Sequence, residues 1–118
     1  MKNDPLPKLQ KICLAFPGAY EKLSHGEPAW FAPKRMFAMF ANNHHGDGRI
    51  AVWCNATFDE QETLVAADSE HFFVPPYVGP SGWLGIRVDR GLDWGMVATL
   101  LKQAYDLSAA PRKARRSV

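Results

Sequence analysis

Two tryptophans and two arginines occupy alternate positions in two short apolar segments, and their side chains suit contacts with flat or phosphate-bearing molecules. Trp53 follows Arg49 by four residues, and Arg87 follows Trp83 by four residues. Side chains an even number of residues apart on a strand share one face of the sheet. Exposed aromatic rings and guanidinium groups on one face could stack on the bases of a nucleic acid or on another flat ligand. Alternatively, each tryptophan lies over neighbouring strand residues and each arginine stacks on a tryptophan, so that the group is a structural ladder.

The residues between these four are apolar, and the alternation predicts two half-buried strands over residues 49–55 and 83–89. Because neighbouring side chains on a strand point to opposite faces, the four must point away from the helices if the apolar set meets the core. Any contact surface built on the four residues depends on that orientation. The inward set comprises Ile50, Val52, Cys54, Leu84, Ile86 and Val88.

A second group of aromatic residues, Trp30, Phe31 and Tyr77, indicates a cleft or a partner surface when it is combined with Trp83. Ligand pockets are mostly apolar and aromatic, with a few polar groups that fix orientation. Contiguous exposed apolar patches mark surfaces that bind other proteins. The sequence therefore supports a second hypothesis, a domain that binds another protein or a small ligand.

Apolar residues at helical spacing predict three helices that back the strands. The first occupies residues 5–16, directly after Asp4, which is a suitable N-cap. The second occupies residues 59–67, and the third begins after Asp93. Each helix has one apolar side, so all three are expected to pack against the same sheet.

Alternation also predicts strands at residues 19–25, 29–32 and 36–41, with a hairpin loop over residues 42–48. Residues 72–78 are predicted to be extended, because two consecutive prolines within them disfavour a helix. Together with the two strands above, the pattern predicts an α+β domain. In this domain, an antiparallel sheet of five to six strands packs against three helices.

Positive charge is concentrated in residues 111–118, which follow a single predicted domain at residues 1–110. The chain has 14 lysines and arginines against 12 aspartates and glutamates. Without the four basic residues of the tail, ten basic residues face twelve acidic ones. We expect the tail to be mobile, and either to contact nucleic acid or an acidic partner or to be a solvated chain end. Its basic residues are Arg112, Lys113, Arg115 and Arg116.

The histidines and cysteines lack the spacing of a metal site or a catalytic site. His44 and His45 fall in the predicted hairpin loop, where we expect a solvated turn. Cys13 and Cys54 are not part of a CxxC motif, and we predict that both are reduced core thiols. We therefore predict no metal, no cofactor and no catalytic residue, and a binding module rather than an enzyme.

Apolar runs in this sequence are short, and none approaches the roughly 18 residues that would span a bilayer. The N-terminal residues lack the apolar segment of a secretory signal. We therefore expect a cytoplasmic protein without membrane contacts. A domain of this size can bury one core without a partner, so we expect a monomer.

Six short motifs occur in a characteristic order along the chain. They are Phe16-Pro17-Gly18, Lys34-Arg35-Met36-Phe37-Ala38, Pro75-Pro76-Tyr77-Val78, Gly82-Trp83, Asp93-Trp94 and Ala104-Tyr105. No single motif is specific, but their order and spacing over roughly residues 5 to 111 resemble the MmcQ/YjbR family. The resemblance covers nearly the whole chain.

Members of that family have a fold similar to that of CyaY and frataxin, so the resemblance implies an antiparallel sheet packed against helices. It also implies DNA binding through a proposed double-wing arrangement of strands and turns, and it implies no catalytic residues. Our first hypothesis is therefore a small cytoplasmic DNA-binding module. The second is a protein-interaction or ligand-binding domain without catalytic activity. The DNA contacts would be Arg49, Trp53, Trp83, Arg87, Arg112, Lys113, Arg115 and Arg116, and the cleft would contain Trp30, Phe31 and Tyr77.

Overall fold

The computed structural model describes residues 4–110, which form a six-stranded antiparallel sheet and three α-helices. The elements are α1 (Leu6–Leu14), β1 (Tyr20–Ser24), β2 (Glu27–Ala32), β3 (Arg35–Asn42), β4 (Ile50–Cys54), α2 (Phe58–Ala67), β5 (Phe72–Phe73), β6 (Leu84–Arg87) and α3 (Trp94–Ala109). The order across the sheet is β1-β2-β3-β4-β6-β5. The predicted α+β class, with an antiparallel sheet and three helices, is confirmed. The prediction of a mobile basic tail concerns residues 111–118, which lie outside the described range.

Side chains that bond to free backbone amides mark the start of two of the three helices. The Asp4 carboxylate accepts a hydrogen bond of 3.0 Å from Leu6 N before α1. The Thr57 hydroxyl accepts one of 3.1 Å from Glu60 N before α2. Such caps supply partners for amides that the first turn of a helix leaves free. Asp93 precedes α3 as predicted, but its side chain makes no cap bond within residues 4–110. No helix in this range is long and apolar enough to cross a bilayer.

The helices cover one face of the sheet, and the main hydrophobic core lies between the two layers. Val52 on β4 pairs with Ile86 on β6, and both side chains belong to this core. Cys13 and Cys54 are free and buried there, as predicted, and burial raises the pKa of each thiol. The largest side chains of this core include Leu9, Trp30, Phe37, Phe72, Leu84, Ile86 and Leu101.

The opposite face of the sheet, here called the outer face, carries a second and smaller apolar cluster. Trp53 pairs with Met39 on β3 and with Gly85 on β6, and Phe73 on β5 pairs with Gly85 from the other side. The predicted alternation is confirmed within β4 and β6, because Trp53 and Trp83 belong to this cluster while Val52, Cys54, Leu84 and Ile86 face the helices. Asn55, just past the end of β4, instead turns toward α3 and donates a hydrogen bond to Ser108. Trp53 is only 2% exposed, so the centre of the outer face is covered.

The segment predicted to be extended over residues 72–78 is a strand only at Phe72–Phe73. Pro75 and Pro76 have no N–H to donate to a neighbouring strand, and the chain leaves the sheet at this point. Hydrogen bonds between backbone groups two to four residues apart hold the following turns together. Residues 74–82, here called the outer strap, therefore fold against the outer face instead of extending β5.

Candidate functional site

A cleft of about 520 Å³ opens on the outer face, and parts of the chain that are distant in sequence enclose it. Its floor is the outer side of β3 and β4. Its rim comes from the β1–β2 turn, the β3–β4 loop and the outer strap. We call it the outer cleft. The residues that line it are Ser24, His25, Met36, Met39, His44, His45, Trp53, Tyr77, Val78 and Trp83.

Each of the three rim segments places a non-glycine residue in the left-handed backbone region. The angle φ is 54° at His25, 51° at His45 and 66° at Tyr77. Asn43, beside the cleft in the β3–β4 loop, is the fourth such residue within the described chain. This conformation costs an L-residue about 1 kcal/mol or more, and it is least favourable for a bulky side chain. Backbone strain that clusters in one place is typical of functional sites.

Side-chain contacts hold two of these rim segments to each other. His45 Nε2 lies 2.9 Å from the Tyr77 hydroxyl oxygen, within hydrogen-bonding distance. The His44 ring packs beside both, with centroids 4.2 Å from His45 and 5.9 Å from Tyr77. Tyr77 is nevertheless 71% exposed, so contacts with its neighbours in the rim, rather than burial, keep it in place.

Two buried ring nitrogens of cleft-lining residues have no hydrogen-bond partner within residues 4–110. They are Trp53 Nε1 and His44 Nε2. Arg35 Nη1 is the third such side-chain atom in the described chain, and Arg35 does not line the cleft. The Trp53 and His44 rings pack edge to face, with centroids 4.8 Å apart. Buried polar atoms are almost always hydrogen-bonded in folded proteins. Two unpaired nitrogens on neighbouring rings of one cleft are therefore unusual.

Aromatic, thioether and histidine side chains dominate the cleft lining, which among the described residues includes no carboxylate, lysine or arginine. The Ser24 hydroxyl adds one more polar group and lies 3.2 Å from His25 Nδ1. Such a surface suits aromatic contacts and hydrogen bonds rather than ion pairs. Within residues 4–110, no cluster of three or more His, Cys, Asp or Glu side chains is arranged to hold a metal ion.

The two arginines predicted to contact DNA lie on the outer face, where other side chains already engage them. Arg87 Nε and Nη2 each donate to Asp89 at 3.1 Å. Partial burial acts to raise the pKa of Asp89, but its hydrogen bonds with Arg87 and the backbone outweigh burial, and the pKa is lowered. The Arg49 guanidinium lies 4.1 Å from the centre of the Phe73 ring and 3.8 Å from Asp47. Arg49 therefore stacks on an aromatic ring, as the ladder alternative requires, but that ring is Phe73 rather than a tryptophan, and Arg87 is paired with Asp89 instead.

Trp53, Trp83 and Tyr77 come together in the outer cleft, but Trp30 and Phe31 do not join them. Trp30 is completely buried in the main core, so its assignment to a cleft with Tyr77 is corrected. The reason is that neighbouring side chains of β2 point to opposite faces of the sheet. Phe31 does face outward, where it stacks on a tyrosine of β1 with ring centres 5.3 Å apart. The four basic tail residues assigned to DNA contact lie outside the described residues.

The sequence pattern did not assign the histidines and methionines of the cleft to any site. His44 and His45 are predicted as a solvated loop tip, yet the His44 ring is partly buried against Trp53. A pair of adjacent histidines in a loop is a weak local signal, and the contact with Tyr77 joins residues 32 positions apart. Nothing in the sequence distinguishes Met36 and Met39 from other residues of β3. They line a cleft because the outer strap folds against the outer face.

Comparison with known proteins supports the fold. The YjbR family model matches residues 14–107. The crystal structure of Deinococcus radiodurans protein DR2400, described as a DUF419 domain, is similar with a TM-score of 0.74. The two sequences are 15% identical, and the match covers 94% of this chain and 85% of that one. At this identity the likeness shows a shared fold alone. No curated protein matches the chain.

Proposed function

The chain belongs to the YjbR family, and we propose that it is a cytoplasmic, monomeric binding protein that holds a small molecule in the outer cleft. The observation that carries this proposal is the cleft of about 520 Å³ on the sheet face that the helices leave uncovered. Pockets for small ligands typically enclose about 300 to 1,000 Å³ and are lined mainly by apolar and aromatic side chains. The outer cleft meets both conditions.

The floor and the rim have different mechanical properties that suit ligand entry. Trp53 and Met39 are buried in a sheet whose strands pair on both sides, so the floor is rigid. Tyr77 lies in the outer strap, and Trp83 directly follows it. Both are more exposed than Trp53 and Met39, and the outer strap does not pair with a strand. A ligand could therefore bind a fixed aromatic surface while the rim adjusts around it.

The strained turns favour a role for the rim itself. His45 and Tyr77 each occupy a backbone conformation that costs free energy, and a hydrogen bond joins their side chains. Turns of glycine or asparagine would connect the same elements with less strain. Strain retained at three positions around one cavity favours a functional role for these turns, because strained backbone conformations cluster at ligand-binding sites.

The polar groups of the cleft favour binding over catalysis. Ser24 and His25 are adjacent in sequence, and their side chains meet at 3.2 Å. An activated nucleophile needs a base that a third group orients, and His25 has no other side-chain partner within residues 4–110. We expect wild-type protein and a Ser24→Ala variant to hydrolyse p-nitrophenyl acetate at the same slow rate. A large loss of rate in the variant would instead support an enzyme.

The proposal is tested with the neutral fluorescent probe N-phenyl-1-naphthylamine. We expect saturable binding at one site, with enhanced probe emission and quenched tryptophan emission. Met36→Trp adds bulk to a partly exposed side chain of the cleft and should abolish this binding. The matched control is Leu23→Trp, because Leu23 is 70% exposed on β1 and does not line the cleft.

Two results would contradict the proposal. One is the absence of saturable probe binding by the wild-type protein. The other is equal binding by the Met36 and Leu23 variants, since the probe would then occupy a different surface. Circular dichroism of both variants shows whether the fold is retained.

DNA binding is the second candidate function, and the observations that favour it are the family resemblance and the four basic residues of the tail. Any contact with phosphates must weaken steeply with salt, and removing each charge should reduce the salt dependence. Electrophoretic shifts at low salt with single- and double-stranded DNA test it, using Arg87→Gln and a variant in which Arg115 and Arg116 are glutamine. Absence of any complex at low salt eliminates this candidate.

A further inference from the structure

Among the polar groups of the outer cleft, two ring nitrogens on adjoining side chains have no hydrogen-bond partner within the described residues. Trp53 lies on a central strand and is 2% exposed, and its Nε1 is buried without a partner in the described chain. His44 Nε2 is buried and unpartnered in the same way. Because the ring centroids are 4.8 Å apart in an edge-to-face arrangement, the two unpartnered nitrogens belong to side chains in direct contact within one cleft.

The chemistry of these nitrogens indicates which kind of atom they would bind. The indole N–H of Trp53 can only donate a hydrogen bond. His44 Nε2 donates in one neutral tautomer and in the charged form. An acceptor, such as a carbonyl oxygen or a pyridine-type ring nitrogen, is therefore the partner that Trp53 requires and that His44 can share.

The remaining lining restricts the charge of the ligand. A buried charge needs a counter-ion or strong hydrogen bonds to offset lost solvation. Arg49 and Arg87 do not line the cleft, and both are engaged by aspartates on the outer face. An anionic ligand would therefore find no cationic lysine or arginine among the described lining residues, and a cationic ligand would find no carboxylate.

The walls of the outer cleft restrict the shape of the ligand. Tyr77 and Trp83 supply rings above a floor that contains Trp53, and flat aromatic molecules pack on such rings in offset or edge-to-face arrangements. Met36 and Met39 supply flexible, polarisable contacts to the rest of a planar surface.

We infer that the ligand of the outer cleft is a neutral, planar aromatic compound whose hydrogen-bond acceptor meets Trp53 Nε1 and His44 Nε2. This inference rests on the proposed function, because it specifies the ligand class of the same cavity. Aromatic ketones, lactones and lactams and neutral nitrogen heterocycles belong to this class.

Three matched naphthalene derivatives test the inference through displacement of N-phenyl-1-naphthylamine. The probes are 2-acetylnaphthalene, which carries a neutral acceptor, 2-ethylnaphthalene, which has the same rings without one, and 2-naphthoate, which is charged. We expect the ketone to bind about fivefold more tightly than the hydrocarbon, as for one neutral hydrogen bond, and the anion to bind most weakly.

Variants assign the effect to the two nitrogens. Trp53→Phe and His44→Phe each keep an aromatic ring and remove one of the two unpartnered nitrogens, His44→Phe removing Nδ1 as well, so each should reduce the ketone's advantage over the hydrocarbon. Binding of 2-ethylnaphthalene itself should change less than twofold. Trp83→Phe is the matched control, since it removes an indole N–H in the same cleft that is not one of the two unpartnered atoms. His44→Phe keeps the test decisive if Trp53→Phe fails to fold, because His44 lies in a loop.

The outcomes separate this inference from the proposed function. Equal affinity for the three naphthalenes would overturn the ligand class and leave the cleft as a binding site. Loss of the ketone's advantage in Trp83→Phe, but not in the other two variants, would overturn the assignment of the donors. Failure of N-phenyl-1-naphthylamine and all three naphthalenes to bind would overturn the proposed function, and the inference with it.

Discussion

Gly85→Ala should disrupt the outer face, because Gly85 lies under the ring of Phe73. A Cβ built at this position would lie 2.5 Å from two ring carbons of Phe73 and 2.7 Å from a third. Carbon atoms in contact lie about 3.5 to 4.0 Å apart, so the ring must move outward by about 1 Å. Phe73 is 7% exposed, and the Arg49 guanidinium packs on its ring, so it has little room to move.

The expected cost follows from two opposing effects. Overpacking of a well-packed site typically costs about 1 to 3 kcal/mol. Replacing glycine by alanine restricts the unfolded chain and returns about 0.4 to 1 kcal/mol. Gly85→Ala should therefore lower the free energy of unfolding by about 1 to 2 kcal/mol, as measured by urea denaturation. Since Gly85 pairs with Trp53, the affinity of the outer cleft for N-phenyl-1-naphthylamine should also fall.

A double-mutant cycle provides the control. In a Phe73→Leu background the clashing ring atoms are absent, so the same glycine substitution should become nearly neutral. The coupling free energy should then be close to the cost measured in the wild-type background. The reasoning is refuted if Gly85→Ala is as stable as wild type, or if its cost is unchanged when Phe73 is leucine.

Two further predictions concern groups away from the cleft. Ser108→Ala should lower the free energy of unfolding by about 1 to 3 kcal/mol, because the buried side-chain amide of Asn55 donates to the Ser108 hydroxyl at 2.9 Å and would lose this partner. Urea denaturation measures the effect, and an unchanged midpoint would contradict the prediction. The second concerns His71, whose pKa is raised from 6.5 by hydrogen bonds to the Arg90 carbonyl and to Asp68. Protonated His71 stabilises the fold, so this stabilisation is present below about pH 6.5 and is lost as the pH rises through the folded pKa. Thermal melts at a series of pH values should show that the melting temperature of the wild type falls as the pH rises through this range, and that it falls less in His71→Gln. An equal dependence on pH in the two proteins would contradict the prediction.

The pairing of the outer-face arginines shows how much of a surface can be inferred from alternation. Alternation correctly places Arg87 and Asp89 on the same side of a strand, because they are two residues apart. The same spacing puts the carboxylate within reach of the guanidinium, as the 3.1 Å contacts show. An acidic residue two positions from a strand arginine is thus a sequence signal that the positive charge is compensated.

Trp30 and Phe31 show a limit of reasoning from composition. They are large aromatic residues adjacent in sequence, and on composition alone both are assigned to one cleft. On β2 they must face opposite sides of the sheet, and the choice between sides follows from which one packs against the helices. Trp30 fills the main core, and its indole N–H donates to Glu21 at 2.9 Å. Phe31 is therefore the one left on the outer face.

The sequence by itself determined the fold class, the three helices and the two faces of β4 and β6. These features depend on periodicity, which is local: a period of two separates the faces of a strand, and apolar spacing of three to four marks the inner side of a helix. Val52 and Trp53 could be assigned to opposite faces for that reason alone.

Only the tertiary structure decided that the outer face is enclosed and that a cleft forms there. Pro75 and Pro76 end β5, but nothing in their types specifies where the chain goes next. The position of the outer strap depends on contacts such as that between Tyr77 and His45, which are 32 residues apart. Contacts between distant segments form only when the whole sheet is assembled, so no local pattern records them.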